Sequence, residues 1–269
     1  MTEENQMKFS RAVHPADTVV SVGGVKIGGG SFVLIAGPCA IESREQLFAA
    51  ADAAAAAGAD LLRAGAFKPR TSPYEFQGLG REGLLLLREA KERTGLPVVS
   101  ELTDIRQIDA FDAVDLIQVG ARNMQNFELL KELGALRRPI LLKRGFGCTL
   151  DEMLCSAEYL LAAGNSEVIL CERGIRTFRD TSRFTLDLDA VGQLHERTHL
   201  PVLVDPSHAA GTASLVPEFA LAAARRHPDG MMLEVHPQPE QALCDGAQAL
   251  TPEELAQLLP RLRKSAAGE

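Results

Sequence analysis

The stretch Pro139-Ile140-Leu141-Leu142-Lys143-Arg144-Gly145, followed by Leu150–Ala163 and then by Val168-Ile169-Leu170-Cys171, decides the fold. A short apolar run, a longer amphipathic segment and a second apolar run together describe one strand–helix–strand unit of a parallel sheet. The same alternation occurs eight times along the chain. Strands are expected at Phe32–Ala36, Leu61–Ala64, Val98–Leu102, Leu116–Val119, Ile140–Lys143, Val168–Cys171, Val202–Asp205 and Met231–Val235. Helices are expected after them at Glu42–Ala57, Arg81–Thr94, Ile105–Phe111, Phe127–Leu133, Leu150–Ala163, Leu188–Thr198, Ser214–Arg225 and Pro252–Leu262. Gly58-Ala59-Asp60, Gly95-Leu96-Pro97, Arg138-Pro139 and Leu200-Pro201 mark helix stops and strand entries, where Gly and Pro break the helical period.

Eight such units in 269 residues predict an α/β protein of the (β/α)8 TIM barrel class, which needs roughly 250 residues. An open doubly wound sheet would carry a glycine-rich fingerprint after its first strand, and Gly37-Pro38-Cys39 is not one. Before Phe32, the segments Val19–Val22 and Val25–Ile27, separated by Gly23-Gly24 and followed by Gly28-Gly29-Gly30, form a hairpin signal. That hairpin should plug the N-terminal mouth of the barrel. Residues 1–31 are therefore read as an N-terminal extension and residues 32–269 as the barrel domain, with no linker between further domains.

The formal net charge of −8 disfavours nucleic acid or an anionic membrane as a general partner, since both are bound through a basic surplus. No apolar run approaches the roughly 20 residues that span a bilayer, and Asp52 interrupts the alanine-rich stretch Ala49–Ala57. The polar segment Met1–Val13 lacks the apolar core of a secretory signal. Five cysteines at irregular spacing, with no C-x-x-C pair, suit a reduced compartment. The expected location is the cytoplasm.

Barrel enzymes carry their sites at the C-terminal ends of the strands. Cys39 follows the first strand, His208 the seventh and Glu234 ends the eighth, with Asp245 in the loop beyond. The first and eighth strands are neighbours once the barrel closes, so these four residues would share one arc of the rim and make a divalent-metal site. Taken singly, each also has an ordinary structural reading. Cys148, Cys155, Cys171, Cys244 and His236 are given only that reading. The complementary arc is basic: Arg63, Arg122, Lys143 with Arg144, and Arg173 stand at the ends of four strands, where guanidinium groups fit phosphate and carboxylate oxygens. The loop Ala66–Gly80 adds Lys68, Arg70, Thr71 and Ser72, stiffened by Pro69 and Pro73. An acidic protein that gathers cations in one place is built to hold a small anion there.

Gly37-Pro38-Cys39-Ala40-Ile41-Glu42, Arg63-Ala64-Gly65-Ala66-Phe67-Lys68-Pro69-Arg70-Thr71-Ser72-Pro73, Gln118-Val119-Gly120-Ala121-Arg122, Asp205-Pro206-Ser207-His208 and Glu234-Val235-His236-Pro237 resemble, in this order, 3-deoxy-D-arabino-heptulosonate-7-phosphate (DAHP) synthases of the type I beta class. The resemblance implies condensation of phosphoenolpyruvate with erythrose 4-phosphate, and a divalent ion (Mn, Fe, Zn or Co) on Cys39, His208, Glu234 and Asp245. It further implies Arg122, Arg173 and Lys143 at the phosphate of phosphoenolpyruvate, Arg63 at its carboxylate, and Lys68, Pro69, Arg70 and Thr71 at erythrose 4-phosphate. Glu101 matches an acidic residue near the reacting water. Lys68 or a metal-bound water would protonate the alkoxide, and His208 would count among the catalytic groups as well as the ligands. A homo-oligomer, dimer or tetramer, and a noncovalent chorismate mutase partner are in keeping with the family. Only about thirty residues precede the first strand, so feedback control through a fused domain is not expected. The rival within enzymes is 3-deoxy-octulosonate 8-phosphate synthase, which takes arabinose 5-phosphate and typically carries Lys-Ala-Asn-Arg where this chain has Lys68-Pro69-Arg70-Thr71. A noncatalytic phospho-ligand sensor on the same barrel is the rival from another class.

Overall fold

In the computed structural model, which describes residues 3–268, the eight apolar runs pair side by side as parallel strands and close into a barrel. Met1 and Thr2 of the expected extension, and Glu269 at the end of the expected barrel, lie outside the described residues. In chain order the elements are β1 (Val20–Val22), β2 (Val25–Ile27), β3 (Val33–Gly37), α1 (Arg44–Ala56), β4 (Leu61–Arg63), α2 (Arg81–Thr94), β5 (Val98–Glu101), β6 (Leu116–Val119), α3 (Phe127–Ala135), β7 (Ile140–Lys143), α4 (Leu150–Ala162), β8 (Val168–Glu172), α5 (Asp189–Arg197), β9 (Val202–Val204), α6 (Pro206–Ala210), α7 (Val216–Ala224), β10 (Gly230–Glu234) and α8 (Pro252–Ala266). Strands β3 to β10 pair in sequence order, and β10 returns to β3 with Gly230 opposite Val33 and Glu234 opposite Gly37.

Successive side chains of a strand point to opposite faces. One parity, including Leu34, Leu62, Ile117, Leu142, Leu170 and Leu233, packs into the shell shared with the helices. The other, including Ile35, Leu61, Val99, Leu116, Leu141, Ile169, Leu203 and Met232, fills the barrel together with Val20, Val22 and Ile27 of the β1–β2 hairpin. Gly23 packs on Pro97 and Gly28 on Pro201, residues just ahead of β5 and β9. The hairpin thus covers the N-terminal mouth, as its sequence implies. No helix among the described residues is long and apolar enough to cross a membrane.

Departures from the expected elements fall mostly at strand exits, where chemistry displaces regular pairing. The run Val202–Asp205 ends as a strand at Val204, because Asp205 turns out to cap α6 and accepts a hydrogen bond from the His208 backbone N–H. The short helix α6 has no apolar period and gave no signal of its own. Ile105–Phe111 forms a six-residue 3₁₀ turn, Ile105–Ala110, closed by a reciprocal Asp104–Gln107 cap. None of its residues is fully buried, and an α-helix without a packed face gains little. At the other end of the chain, α8 continues four residues past the expected Leu262.

Ile27 is wholly buried in the barrel-filling cluster. Replacing it with Ala should lower the free energy of unfolding by about 2–4 kcal/mol through lost contact and a residual void. Urea denaturation of Ile27→Ala followed by circular dichroism checks this, and an unshifted midpoint would mean that the hairpin is not packed in the mouth.

Candidate active site

Beyond the last inward apolar residues of every barrel strand but β3, where the position is Gly37, the parity brings a polar group to the upper end of the barrel. Arg63, Glu101, Gln118, Lys143, Asp205 and Glu234 stand there, and Arg173 follows four residues after Ile169. Above this layer four elements converge. Cys39 leaves β3, His208 lies in α6, Glu234 ends β10 and Asp245 sits in the loop before α8, and their ligating atoms all lie within 4.8 Å of one another. His208 Nε2 is 3.3 Å from Glu234 Oε1 and 3.9 Å from Asp245 Oδ2. Cys39 Sγ is 3.1 Å from Asp245 Oδ2. Asp245 holds a left-handed backbone, φ 52°, which Asp tolerates better than most residues.

The surroundings prepare these atoms as ligands. Asp205 Oδ2 lies 2.7 Å from His208 Nδ1 and also receives the Lys143 ammonium. A carboxylate at Nδ1 fixes that proton there and leaves the Nε2 lone pair facing Glu234 and Asp245. Burial lowers the His208 pKa despite Asp205 and Glu234, so the neutral, ligating form is favoured. Glu234 accepts from Arg63 Nη1 at 2.5 Å and Gln248 Nε2 at 2.6 Å, and its backbone N–H donates to Ser207 Oγ. Burial would raise the pKa of Glu234 and Asp245, but the positive charge that His208 carries when protonated, with Arg63 beside the first and Lys68 and Arg183 beside the second, holds both below the ordinary carboxylate range. The two ionised carboxylates repel one another unless positive charge sits between them, and the sulfur and imidazole offer further ligand atoms beside them. That donor set fits a divalent metal of intermediate softness.

Lys68 Nζ donates to Cys39 Sγ at 3.0 Å. Burial opposes its charge, yet Cys39, Cys244 and Glu101 keep Lys68 above the ordinary lysine value, so it is an ammonium and a proton donor. Next to it opens a cavity whose lining includes six cationic side chains (Lys68, Arg70, Arg122, Lys143, Arg173, Arg183) and three carboxylates (Glu75, Glu101, Asp245). In a chain of net charge −8 this is a local reversal of sign. Pro69 and Thr71 complete the wall on the side of the β4–α2 loop. Glu101 accepts from Gln118 Nε2 at 3.1 Å and abuts Gly120, where an added Cβ would lie 2.1 Å from Glu101 Oε1. A side chain at position 120 would push the carboxylate from this position.

All the residues singled out from sequence gather at this end of the barrel, with two qualifications. Arg63 lies beneath the cluster and is not part of the cavity lining; its Nε is the one buried side-chain polar atom without a hydrogen-bond partner among the described residues. Arg144, of opposite parity to Lys143, faces away and pairs with Glu172 and Asp187. His236 pairs with Glu42, in keeping with its structural reading. Cys244 departs from that reading: its Sγ lies 3.4 Å from Cys39 Sγ and accepts from Arg70 Nη1 at 2.7 Å. Arg183, which donates to both Asp245 and Gln248, was also missed, as were Gln248 and Phe146. Strand parity would have found Gln118; the others come from loops, where no period exists.

Known proteins resemble the chain along nearly its whole length. A family model described as the DAHP synthetase I family matches residues 8–267. A phospho-2-dehydro-3-deoxyheptonate aldolase of Thermotoga maritima is 49% identical over 260 residues, covering 96% of this chain and 76% of the relative. A 2-dehydro-3-deoxyphosphooctonate aldolase of Geobacter sulfurreducens is 32% identical over 264 residues, covering 91% of this chain and 96% of the relative. The crystal structure of the Thermotoga maritima DAHP synthase superposes with a TM-score of 0.94 at 48% identity over 97% of this chain and 77% of that one. A truncated form of the Thermotoga maritima enzyme gives 0.90 at 45% identity, covering 97% and 96%.

The hydrogen bond with Cys244, burial and the charge of Glu234 push the Cys39 thiol well above its ordinary value, whereas ligation requires the thiolate. Uptake of a divalent cation should therefore release a proton and strengthen as pH rises from about 6 to about 8, because fewer protons compete. Calorimetric titration in buffers of different ionisation enthalpy reads the proton directly. Cys39→Ala should lose the proton release and bind at least about 10-fold more weakly; pH-independent uptake by the unaltered chain would remove Cys39 from the ligand set.

Proposed function

The chain belongs to the DAHP synthetase I family, and we infer from that premise that it is a 3-deoxy-7-phosphoheptulonate synthase. It condenses phosphoenolpyruvate with erythrose 4-phosphate to DAHP and inorganic phosphate, the first step of the shikimate pathway to chorismate and the aromatic amino acids. The observation that carries the assignment is the 49% identity to a phospho-2-dehydro-3-deoxyheptonate aldolase across 96% of the chain. The octulosonate reading stands on 32% identity, and the Lys68-Pro69-Arg70-Thr71 run in the cavity wall favours the shorter aldose.

Arg122 and Arg173, with Lys143 at the cavity floor, are assigned to the phosphate of phosphoenolpyruvate, where fixed guanidinium groups give bidentate contacts. Arg63, with its partnerless Nε, is assigned to the carboxylate. Lys68, Pro69, Arg70 and Thr71 receive erythrose 4-phosphate. C3 of phosphoenolpyruvate then attacks the aldehyde carbon, and the Lys68 ammonium, 3.0 Å from Cys39 Sγ, passes a proton to the developing alkoxide. Positive character at C2 draws in water, whose proton Glu101 accepts. The resulting phosphohemiketal loses phosphate by C–O cleavage, and the cationic wall offsets the charge of the leaving group. A divalent ion of the Mn, Fe, Zn or Co group held by Cys39, His208, Glu234 and Asp245 would supply Lewis-acid polarisation of the aldehyde.

We also propose the division into a plug extension, residues 1–31, and a catalytic barrel, residues 32–269, supported by the hairpin seated in the barrel mouth. A cytoplasmic location is proposed because the Cys39 thiol must stay reduced to ligate. A dimer or tetramer, and docking of a separate chorismate mutase chain, are proposed on the family resemblance.

Inorganic phosphate release from phosphoenolpyruvate tests the assignment. Release should require erythrose 4-phosphate, proceed much more slowly with arabinose 5-phosphate and stop with chelator; an equal or reversed aldose preference would move the chain to the octulosonate enzymes. Arg122→Ala should weaken phosphoenolpyruvate binding by about 2 kcal/mol, roughly thirty-fold. Arg122→Lys should recover only part of it, since an ammonium lacks the planar fork. Calorimetry with phosphoenolpyruvate decides, and unchanged affinity in Arg122→Ala would take that residue out of the phosphate site.

A further inference from the structure

The guanidinium groups of the cavity stand on a pair of aromatic rings. Phe146, in the loop after β7, and Phe184, in the loop after β8, stack with centroids 5.2 Å apart and planes inclined by 10°. Arg173 lies 4.9 Å from the Phe146 centroid and 4.2 Å from that of Phe184. Arg122 lies 5.3 Å and Arg176 5.4 Å from Phe146, and Arg183 5.7 Å from Phe184. Four cations thus surround two rings. The Arg176 backbone N–H also donates to the Phe146 carbonyl at 2.7 Å, which ties the two loops together.

Several arginines elsewhere in this protein are held by carboxylates. Arg144, two residues before Phe146, pairs with Glu172 and Asp187. By contrast, Arg122, Arg173 and Arg176 form no ion pair among the described residues. A carboxylate would orient a guanidinium but would also neutralise it and compete with an incoming phosphate. An aromatic face orients the same plane through its quadrupole and leaves both the net charge and the outward N–H groups available. Arg173 has the greatest need of such support. It is buried, and burial lowers its pKa, with the charge of Arg183 acting in the same direction.

We propose that Phe146 is a positioning residue for the phosphate of phosphoenolpyruvate, its ring holding Arg122 and Arg173 in place while leaving their charge unneutralised. The proposal rests on the assignment of those two arginines to that phosphate. Phe146 is only half-buried, so its replacement need not disturb the core.

Binding of phosphoenolpyruvate to the metal-loaded full chain is compared by calorimetry for the unaltered protein, Phe146→Leu, Phe146→Tyr, Arg122→Ala and the double variant Phe146→Leu/Arg122→Ala. Phe146→Leu should weaken binding by about 5- to 30-fold, the range of one to two lost cation–ring contacts. The loss should appear in KM for phosphoenolpyruvate more than in kcat, with KM for erythrose 4-phosphate little moved. Phe146→Tyr, which keeps the ring face, should restore most of the affinity. The double variant should lose less than the product of the single losses, because both changes act on one contact. Should Phe146→Leu fail to fold, Phe146→Met keeps the volume without the ring and reads the same quantity. Unchanged affinity in the folded Leu or Met variant, beside a weakened Arg122→Ala, would overturn the platform and leave the phosphate assignment standing. Unchanged affinity in Arg122→Ala would overturn the assignment itself, and the platform with it.

Discussion

Glu234 ends β10 wholly buried, with Arg63 and Gln248 on its oxygens and His208 Nε2 at 3.3 Å. A carboxylate removed from water is tolerated only when paired and hydrogen-bonded, and the residues that satisfy it define the upper barrel. Arg63 comes from β4, two strands around the ring, and Ser207 and His208 from α6. Gln248, on the way to α8, links Glu234 to Arg183, which in turn holds Asp245. One buried charge thus locks together elements far apart in sequence.

The same logic governs Asp205, which caps α6, orients the His208 ring and receives Lys143. Both ion pairs join residues of inward parity two strands apart at the strand ends, so the barrel interior changes from apolar to ionic within two residues. Below the change, the hairpin and the strands exclude water; above it, the charges meet the cavity. The rigidity of the lower barrel lets the upper layer hold its geometry without being filled by further apolar packing.

The cavity divides its charge by chemistry. On the side of β3, α6 and β10, sulfur, imidazole and carboxylate groups converge in a space suited to a cation. On the side of β6 to β8, arginines and Lys143 face the cavity, supported partly by Phe146 and Phe184. Lys68 and Arg70 lie between the two and touch Cys39 and Cys244 respectively. A substrate with an anionic end and a reacting carbonyl would therefore be held at one side and polarised at the other.

Much of this was legible without coordinates. Eight apolar runs with helical stretches between them leave one economical closure, and period two along each run puts Arg63, Glu101, Lys143 and Glu234 on a common face. Cys39, His208 and Asp245 could be named because they follow strands that become neighbours on closure. What sequence alone did not reveal lies in loops and at helix caps: α6, the approach of Cys244 to Cys39, the Gln248–Arg183 link and the rings beneath the arginines. Those segments have no hydrophobic period to read, and their positions are decided by which buried charges and ring faces must be satisfied once the barrel has closed.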